Sequence, residues 1–345
     1  MRVRSARGAR PEVLMVTNMW PREEHPGYGI FVFRQIESLR ALGLDCEVIF
    51  VEGHRTRWAY VRESLRMLRL NFSSRRPLLV HAHGGETALV ARWYVRGPVV
   101  VSYCGDDLLG TPRANGSITP ASRVRRTLLR AHARLMARTV TKSAEMERAL
   151  HPSARKRNLV VPNGVDRSIF HPRSGEEARR RLGWPAEDRI VLFAADPAVE
   201  RKRYWLAEAA CREAERELGP IRLEVAWGTP PADMPMLMAG ADCLLLTSAI
   251  EGSPNVVKEA VACDLPVIST DVGDVAEILG DIDPSWVCDP EPGPLAGALA
   301  DCLTERRRSN GWERSAWLGQ ERIAERLLDL YAELVPGLAR TKAPA

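Results

Sequence analysis

The sequence predicts an α/β protein built from two consecutive doubly wound domains, each with a mainly parallel sheet. At 345 residues the chain exceeds what one hydrophobic core usually serves. Short apolar runs alternate with helical patterns along its whole length, which is the signature of βαβ units. The polar stretch 166–181 interrupts this alternation, and we expect the domain boundary there. A ligand would then bind in a cleft between the domains, at the carboxyl ends of the strands.

The first series of apolar runs predicts six strands and an amphipathic helix. The helix spans Ile30–Leu42 and follows a loop rich in proline and glycine. The predicted strands are Val13–Thr17, Cys46–Val51, Leu78–His81, Val99–Tyr103, Thr139–Thr141 and Leu159–Pro162.

The second series predicts four strands and three helices. We assign residues 1–170 to a first domain and 171–315 to a second, with a C-terminal helix within 316–345 completing the first. The predicted strands are Ile190–Ala194, Ile221–Ala226, Asp242–Thr247 and Pro266–Thr270, and the helices are Tyr204–Leu218, Asn255–Ala262 and a stretch from about Trp312 to Leu334.

Composition is ordinary for a globular protein, with 45% hydrophobic and 27% charged residues. The net charge of +5 suits a small anionic ligand, an anionic membrane or nucleic acid and selects none of them. The seven cysteines are scattered without a Cys-x-x-Cys pair, which is typical of reduced, buried thiols. No apolar run approaches the roughly 20 residues of a membrane span, and no secretory signal is recognisable. We therefore expect a cytoplasmic protein.

The richest candidate site follows the strand Asp242–Thr247. A loop with Gly252, Ser253 and Pro254 leads to Asn255, which is a good N-cap for a helix. The start of a helix presents unpaired N–H groups and partial positive charge, which suit a diphosphate. Two flanking carboxylates, Glu251 and Glu259, can accept hydrogen bonds from sugar or ribose hydroxyls. The set predicts a site for a nucleoside diphosphate sugar, although for any lone glutamate an exposed surface position is the more common explanation.

The stretch Glu251–Ile268 resembles the donor-site motif of the family 4 retaining glycosyltransferases, in which two glutamates are separated by seven residues. Asn163–Asp166 with Phe170-His171-Pro172 is similar to the family's interdomain entry. Pro21–Gln35, which contains Gly27-Tyr28-Gly29, is similar to its glycine loop. The resemblance covers nearly the whole chain. It implies the GT-B fold, two Rossmann-like domains facing a central cleft.

The resemblance implies a role for each matching donor-side position. Glu259 would hold the ribose hydroxyls and Glu251 the hydroxyls of the transferred sugar. Lys202 would neutralise the diphosphate leaving group and, with Glu251, count among the catalytic residues. Gly29 would let the first loop approach the phosphate closely. The remaining donor-binding positions, which would meet the sugar and diphosphate, are Gly252, Ser253, Pro254, Asn255 and Val256.

The acceptor side is assigned to polar residues of the first domain. His83 and Asp106 are predicted as catalytic, with Asp106 orienting an acceptor hydroxyl. The chain departs from the family pattern at two places. In the first domain Cys104 stands where many members have a histidine, and in the second domain Ala195-Asp196-Pro197 stands where many have an arginine. For Asp106 and Asp107, acceptor contact or helix capping is favoured over a metal pair. The predicted acceptor-binding residues are His81, Tyr103, Asp106, Asp107 and Asn163.

The implied activity is that of a bacterial, retaining hexosyltransferase. It would move a sugar from a nucleotide diphosphate sugar, with UDP-sugars such as UDP-GlcNAc favoured, to a hydroxyl acceptor in glycan, lipid-linked or natural-product glycoside biosynthesis. No metal or other cofactor is expected, because cations and N–H dipoles can stabilise the departing diphosphate. The expected partners are the donor and a small or lipid-linked acceptor, with an anionic membrane at the inner face as a further candidate; no nucleic acid is expected.

Three other functions make different demands on the sequence. A nucleotide-sugar epimerase would need acid and base residues around the sugar, which the C-terminal half does not clearly supply. A nicotinamide-dependent oxidoreductase predicts Gly-x-Gly-x-x-Gly, and Gly27-Tyr28-Gly29 lacks the third glycine. A non-catalytic nucleotide-sugar-binding protein stays open, given the missing arginine and histidine.

The segment Arg55–Arg76 mixes seven arginines with apolar residues. Such a basic amphipathic helix can lie on an anionic membrane. The alternative, which we favour from the sequence, is a surface helix that packs its apolar side on the sheet.

Overall fold

A computed structural model of the chain describes residues 2–3, 10–111 and 117–338. The chain divides into two compact units. Unit 1 comprises Met1–Thr111, Pro120–Gly164 and Gln320–Ala345, and unit 2 comprises Pro112–Thr119 and Val165–Gly319. The C-terminal helix thus belongs to the same unit as the N-terminal strands.

Unit 1 contains a seven-stranded sheet in the order β1-β3-β2-β4-β5-β6-β7. The edge strand β1 runs antiparallel to β3, and the other pairings are parallel. The strands are β1 (Arg2–Val3), β2 (Val13–Thr17), β3 (Cys46–Phe50), β4 (Leu79–His83), β5 (Val99–Ser102), β6 (Arg138–Thr141) and β7 (Asn158–Val160).

The helices of unit 1 cover this sheet. The last of them buries Ile323, Leu327 and Tyr331 in one apolar core with β2 and β3, which explains why the chain returns to unit 1. The helices are α1 (Ile30–Ala41), α2 (Trp58–Leu70), α3 (Gly85–Ala91), α4 (Asp106–Leu109), α5 (Pro120–His132), α6 (Ala144–Arg148), α7 (Pro152–Arg155) and, after unit 2, α15 (Gln320–Leu334).

Unit 2 contains a five-stranded parallel sheet in the order β12-β11-β10-β8-β9. Its strands are β8 (Arg189–Phe193), β9 (Ile221–Val225), β10 (Cys243–Leu246), β11 (Val267–Thr270) and β12 (Trp286–Cys288). Its helices are α8 (Gly175–Leu182), α9 (Tyr204–Leu218), α10 (Met234–Gly240), α11 (Asn255–Ala262), α12 (Val275–Leu279), α13 (Pro292–Glu305) and α14 (Gly311–Arg314).

Both faces of the unit 2 sheet are buried, as the continuous apolar runs predict. Along β10, Leu244 and Leu246 face one core, and Cys243 and Leu245 face the other. Helices α9 and α13 cover the second face. The predicted fold class, two α/β units with doubly wound parallel sheets, is confirmed.

Individual elements differ from prediction where the sequence does not reveal how deeply a strand is buried or where a helix is interrupted. Strand β4 runs two residues beyond its predicted end, to His83, and the short strand β12 was not predicted. The helix predicted from Trp312 is broken into α14, a 3₁₀ turn and α15. The seven cysteines are free. Within the described ranges, no helix is long and apolar enough to cross a membrane.

The expected packing of the Arg55–Arg76 helix is wrong. Helix α2 turns Ala59, Glu63 and Met67 inward, whereas its apolar stripe faces outward. The buried Glu63 is compatible with this arrangement because Arg62 and Arg66 pair with its carboxylate at 2.8 and 3.3 Å.

Candidate active site

The predicted donor loop connects β10 to α11 in unit 2. Helix α11 begins at Asn255, so Pro254 occupies the N-cap position and makes no side-chain cap. The N-cap role predicted for Asn255 is therefore wrong by one residue. The first N–H groups of the helix lack partners within it and point toward the loop, which keeps the predicted anion-binding character.

Glu251 is held by two cations from the loop that follows β8. The Nζ atom of Lys202 forms an ion pair with Oε1 of Glu251. Arg201 Nη1 lies 3.3 Å from the same oxygen. The cluster carries two positive charges against one negative charge, so it retains net positive charge for an anionic ligand. Arg201 supplies a second cation in a chain that has Ala195-Asp196-Pro197 in place of the expected arginine.

Backbone contacts fix these cations next to the donor loop. The hydroxyl of Thr247, just after β10, donates to the carbonyls of Lys202 and Arg203 at 2.9 and 3.0 Å. The N–H of Ala249 donates to the Arg201 carbonyl at 2.7 Å. The loop after β8 and the loop after β10 are thus joined at the carboxyl edge of the sheet, where neighbouring parallel strands end.

A buried polar network under the donor loop was not predicted. Lys258 is 1% exposed, and its Nζ atom contacts Ser253 Oγ and lies 3.7 Å from Asp274 Oδ2. Ser253 Oγ donates to the same Asp274 oxygen at 2.6 Å. Burial lowers the pKa of Lys258, and the charges of Asp274 and Glu259 oppose this shift. The sequence carries one signal of this burial. Pro254, Val261 and Ala262 lie about one helical turn from Lys258, which places Lys258 on the apolar face of α11.

Gly273 closes the other side of this loop. Its φ angle is +63°, and an added Cβ would lie 3.0 and 3.1 Å from the carbonyl oxygens of Gly252 and Glu251. A side chain at this position would therefore displace the backbone that carries Glu251.

The structure brings the predicted donor residues of unit 2 together. Glu251 precedes the loop's buried Gly252, Ser253 and Pro254, while Glu259 is half-buried on α11. Gly29 is different, since it lies in unit 1 as the residue before α1, with a φ of +72°. An added Cβ there would lie 2.4 Å from the Met19 carbonyl carbon, so the fold itself requires glycine.

His81 and His83, at the end of β4, are stacked with ring centroids 4.4 Å apart. Both are fully buried. His81 Nδ1 lies 2.5 Å from the Tyr331 hydroxyl and Nε2 lies 2.8 Å from the Ser102 hydroxyl. Its hydrogen-bonding capacity is therefore used inside unit 1, contrary to the predicted acceptor contact.

His83 has no hydrogen-bond partner for either ring nitrogen among the described residues. Burial lowers its pKa to about 3, and the nearby charge of Lys142 adds to the shift. A neutral, fully covered imidazole does not present a base to solvent, so the catalytic role predicted for His83 is not supported by this geometry.

Among residues 2–3, 10–111 and 117–338, no group of three or more histidine, cysteine, aspartate or glutamate side chains could hold a metal ion.

Tyr103 and Asp107 are also interior residues. The Asp107 carboxylate accepts N–H groups from Gly85, Cys104 and Gly105 at 3.0 to 3.2 Å. Burial and the charge of Asp106 raise its pKa to about 6, although two of these hydrogen bonds oppose the shift. Tyr103 is fully buried, and its hydroxyl donates to the Leu129 carbonyl at 3.4 Å. Both shape the loop after β5, which corrects the acceptor contacts predicted for them.

Asp106 is the accessible member of the predicted acceptor set, with 58% of its side chain exposed. Arg125 holds its carboxylate at 3.3 Å. Burial raises the pKa of Tyr28, and the charge of Asp106 adds to this rise, so the glycine loop lies near the loop after β5. Asn163 is buried at the end of unit 1.

Two family profiles match the two parts of the chain. Residues 3–164 match a glycosyl transferase 4-like domain, and residues 197–305 match the glycosyl transferases group 1 domain. The chain belongs to the group 1 glycosyltransferases. It is an enzyme of the glycosyltransferase class, EC 2.4, with the GT-B fold.

Among relatives, the chain is 24% identical to TuaC of Bacillus subtilis, whose name marks it as a candidate glycosyltransferase of teichuronic acid biosynthesis; the match covers 88% of this chain and 90% of that protein. It is 28% identical to a D-inositol 3-phosphate glycosyltransferase of Thermobispora bispora, over 60% of this chain and 58% of that one. For this second relative, the chain matches less than two thirds of the whole length.

Solved structures agree in fold. Sucrose-phosphate synthase from Thermosynechococcus elongatus superposes with a TM-score of 0.74 at 17% identity, covering 94% of this chain and 99% of that one. HepE of Anabaena, in complex with UDP and glucose, gives a TM-score of 0.69 at 16% identity, covering 94% of this chain and 100% of that one. At these identities the likeness establishes the fold alone.

Proposed function

We propose that the protein is a retaining glycosyltransferase that takes its sugar from a nucleoside diphosphate sugar bound by unit 2. The observation that carries this proposal is the pairing of Glu251 with Lys202 and Arg201 beside the start of α11. Two cations and a helix N-terminus suit a diphosphate, and a carboxylate among them suits the hydroxyls of the attached sugar.

The chemistry follows from where charge develops. When the anomeric bond breaks, negative charge grows on the leaving diphosphate. Lys202, Arg201 and the N–H groups at the start of α11 are fixed before the reaction, so they stabilise that charge without reorganising. In this proposal they perform the neutralisation that a divalent metal performs in other enzymes, and no metal is required.

Glu251 and Glu259 have separate tasks in this proposal. Glu251, oriented by its two cations, accepts hydrogen bonds from the transferred sugar, and Glu259 accepts them from the ribose. The pairing also holds Glu251 in place, because its Oε1 atom is shared between both cations. Both cations bond Oε1, which leaves Oε2 for a sugar hydroxyl.

We infer that the donor is a UDP-sugar, with UDP-GlcNAc the first candidate. Support comes from structural neighbours: HepE was solved with UDP, and TarM of S. aureus was solved with UDP and α-GlcNAc-glycerol. A thermal-shift panel of UDP-, GDP-, ADP- and TDP-sugars tests the base and the sugar, because a ligand that binds the folded state raises the melting temperature. A preference for another nucleotide would replace UDP and leave the diphosphate site standing.

Retention of the anomeric configuration is the second part of the proposal. In unit 2, Glu251 is the carboxylate nearest the cations, and its pairing with them disfavours attack on the sugar as a free nucleophile. We therefore favour attack on the face from which the diphosphate leaves. Proton NMR of the first product, with an α-configured donor, should show an α-linkage, and a β-linkage would overturn this part.

For the acceptor we propose a hydroxyl of a glycan or lipid-linked molecule, with Asp106 of unit 1 as its contact. Support comes from the exposure of Asp106 and from the teichuronic acid biosynthesis named for the Bacillus relative. We place the reaction in the cytoplasm, where nucleotide sugars are made. Slow hydrolysis of the donor without acceptor would show catalytic competence, whereas tight donor binding without any hydrolysis or transfer would identify a binding protein.

A further inference from the structure

Helix α2 of unit 1 exposes an unbroken apolar stripe. Trp58, Val61, Leu65, Leu68 and Phe72 follow each other at helical spacing and lie on one face. All five are exposed, with Trp58 at 76% and Phe72 at 86%. Ala59, Glu63 and Met67 on the opposite face are buried, so the stripe is the face of α2 that unit 1 leaves exposed.

The stripe continues onto the neighbouring helix. Helix α2 packs on α3, and Asn71 fixes the chain after α3 to the end of α2. Its side chain donates to the Trp93 carbonyl at 2.9 Å and accepts the Val95 N–H at 2.8 Å. Leu89, Trp93 and Val95 are exposed on this segment.

Helix α5 extends the same layer. It packs on α3, where Leu129 contacts Gly85 so closely that an added Cβ would lie 2.7 Å from its methyl group. Val124 and Leu128 of α5 and Leu135 just beyond it are exposed by 60–63%. We call residues 55–76, 85–96 and 120–135 together the α2–α3–α5 surface.

This surface concentrates the positive charge of the protein. Its 50 residues contain 14 arginines and two glutamates, a net charge of +12. The rest of the chain contains 35 basic and 42 acidic residues, a net charge of −7. The modest overall charge therefore conceals one strongly basic region that is also the most apolar exposed region described.

The chemistry of the partner follows from this combination. Soluble proteins rarely leave contiguous apolar patches uncovered, and such patches mark interaction sites. Nucleic acid would satisfy the arginines but leave leucine, valine and phenylalanine facing water. A second copy would bring +12 against +12. A bilayer of anionic lipids offers phosphates to the arginines and acyl chains to the apolar side chains.

We propose that the α2–α3–α5 surface docks on an anionic membrane. The apolar stripe enters the interface, and the flanking arginines contact lipid phosphates. The inference stands on unit 1 alone and does not depend on which donor unit 2 binds.

Vesicle co-sedimentation of the full chain tests this proposal. The wild type should pellet with phosphatidylglycerol–phosphatidylcholine vesicles and stay in solution with phosphatidylcholine alone. Leu65→Gln with Phe72→Gln should weaken the partition coefficient at least about tenfold at both low and high salt, because each removes apolar surface from the interface. Arg69→Gln with Arg123→Gln should weaken it about 30-fold at low salt and less at high salt.

Matched pairs from unit 2 serve as controls. Val287→Gln with Trp317→Gln removes exposed apolar side chains elsewhere, and Arg212→Gln with Arg216→Gln removes exposed arginines. Both control pairs should bind vesicles like the wild type. All four pairs change exposed residues, so circular dichroism should show intact folds.

Three results would overturn the proposal. The wild type could fail to bind anionic vesicles, or the control pairs could weaken binding as much as the surface pairs. Alternatively, sedimentation without lipid could show a dimer that the Leu65→Gln/Phe72→Gln pair dissociates, which would assign the surface to a second copy. Vesicle binding requires no sugar transfer, so its failure is distinguishable from failure of the proposed activity.

Discussion

The loop after β10 in unit 2 and the loops after β4 and β5 in unit 1 both carry clusters of polar residues, but they use them differently. After β10, Glu251 is partly exposed and paired with Lys202 and Arg201, which leaves net positive charge for a ligand. At the ends of β4 and β5, His81, Tyr103 and Asp107 are buried and hydrogen-bonded to other side chains or to the backbone. His81 bonds Tyr331 and Ser102, and the Asp107 carboxylate accepts four backbone N–H groups.

The difference shows that polar residues at strand ends can serve either ligand binding or the structure of the loop. A cluster with surplus charge and partial exposure can bind a ligand. A cluster whose donors and acceptors are satisfied internally shapes the loop that carries some other contact. In unit 1 the contact that we propose is Asp106, and in unit 2 Lys258 and Asp274 support the donor loop.

The largest expected effect is the loss of the cation at position 202. Lys202→Ala should lower kcat about 10³-fold, since removing one preorganised donor to developing charge costs about that much. Donor binding should change less than turnover. Steady-state kinetics with Arg212→Ala, an exposed arginine of α9, as the control measures this. Wild-type turnover in the Lys202 variant would show that the charged cluster of unit 2 does not act on the leaving group, and the contrast with the unit 1 loops would fail.

Removing the buried cation under the donor loop comes next. Lys258→Met should lower the free energy of unfolding by about 3 kcal/mol, because the buried Asp274 carboxylate loses its charged neighbour. Urea unfolding measures this, and the KM for the donor should rise in the folded fraction. The double variant Lys258→Met/Asp274→Leu should recover part of the loss. A single variant as stable as the wild type would remove Lys258 from the account.

The ribose contact should have a smaller effect. Glu259→Ala should weaken nucleotide binding about 30-fold, the value of a hydrogen bond to a charged acceptor. Calorimetric titration with nucleotide compares it with Glu277→Ala, an exposed glutamate of α12. Equal affinity in the two variants would contradict the ribose contact.

The smallest effect concerns pH and the interior histidine of unit 1. The pKa of His83 is lowered to about 3 in the folded chain, below the usual 6.5. The unfolded chain therefore binds a proton that the folded chain does not, and stability falls as pH drops below about 6.5. Between pH 7 and 5.5 His83 alone should cost about 1 kcal/mol. His81 shifts in the same direction.

Urea unfolding of His83→Leu at several pH values measures how much of the stability lost on acidification is due to His83. The variant should lose less stability than the wild type on acidification, while His54→Leu, at an exposed position, should leave the slope unchanged. A loss of transfer activity in a stably folded His83→Leu variant would return His83 to the catalytic residues and break the comparison.

The sequence predicted much of the fold because its strands are buried on both faces. Val13–Thr17 is bounded as predicted, and most other strands differ by one or two residues. Strand β12 escaped because Trp286–Cys288 is short and only half-buried, so no apolar run marks it. Periodicity predicted that α2 is amphipathic but not which way it faces, since a buried Glu63 paired with Arg62 and Arg66 reverses the usual assignment.

The arrangement of the candidate donor loop could be predicted from the sequence, whereas the burial of the candidate acceptor residues could not. Most of the predicted donor residues lie within one loop and helix, so their order in the sequence is their order in space, and the distant members are Lys202 and Gly29. Whether the predicted acceptor residues are accessible depends on elements far away in the sequence, which bury them. For example, Tyr331 of α15 forms a hydrogen bond with His81. No local pattern reveals that contact.

The most direct test of the donor site compares a nucleoside diphosphate with its monophosphate. For the base selected by thermal shift, calorimetric titration of the wild type should give at least about tenfold tighter binding of the diphosphate, because the second phosphate meets Lys202, Arg201 and the start of α11. Lys202→Ala should lose most of that difference. Equal affinity for the two nucleotides, or a difference that survives in the variant, would contradict the assignment of this cluster to the diphosphate.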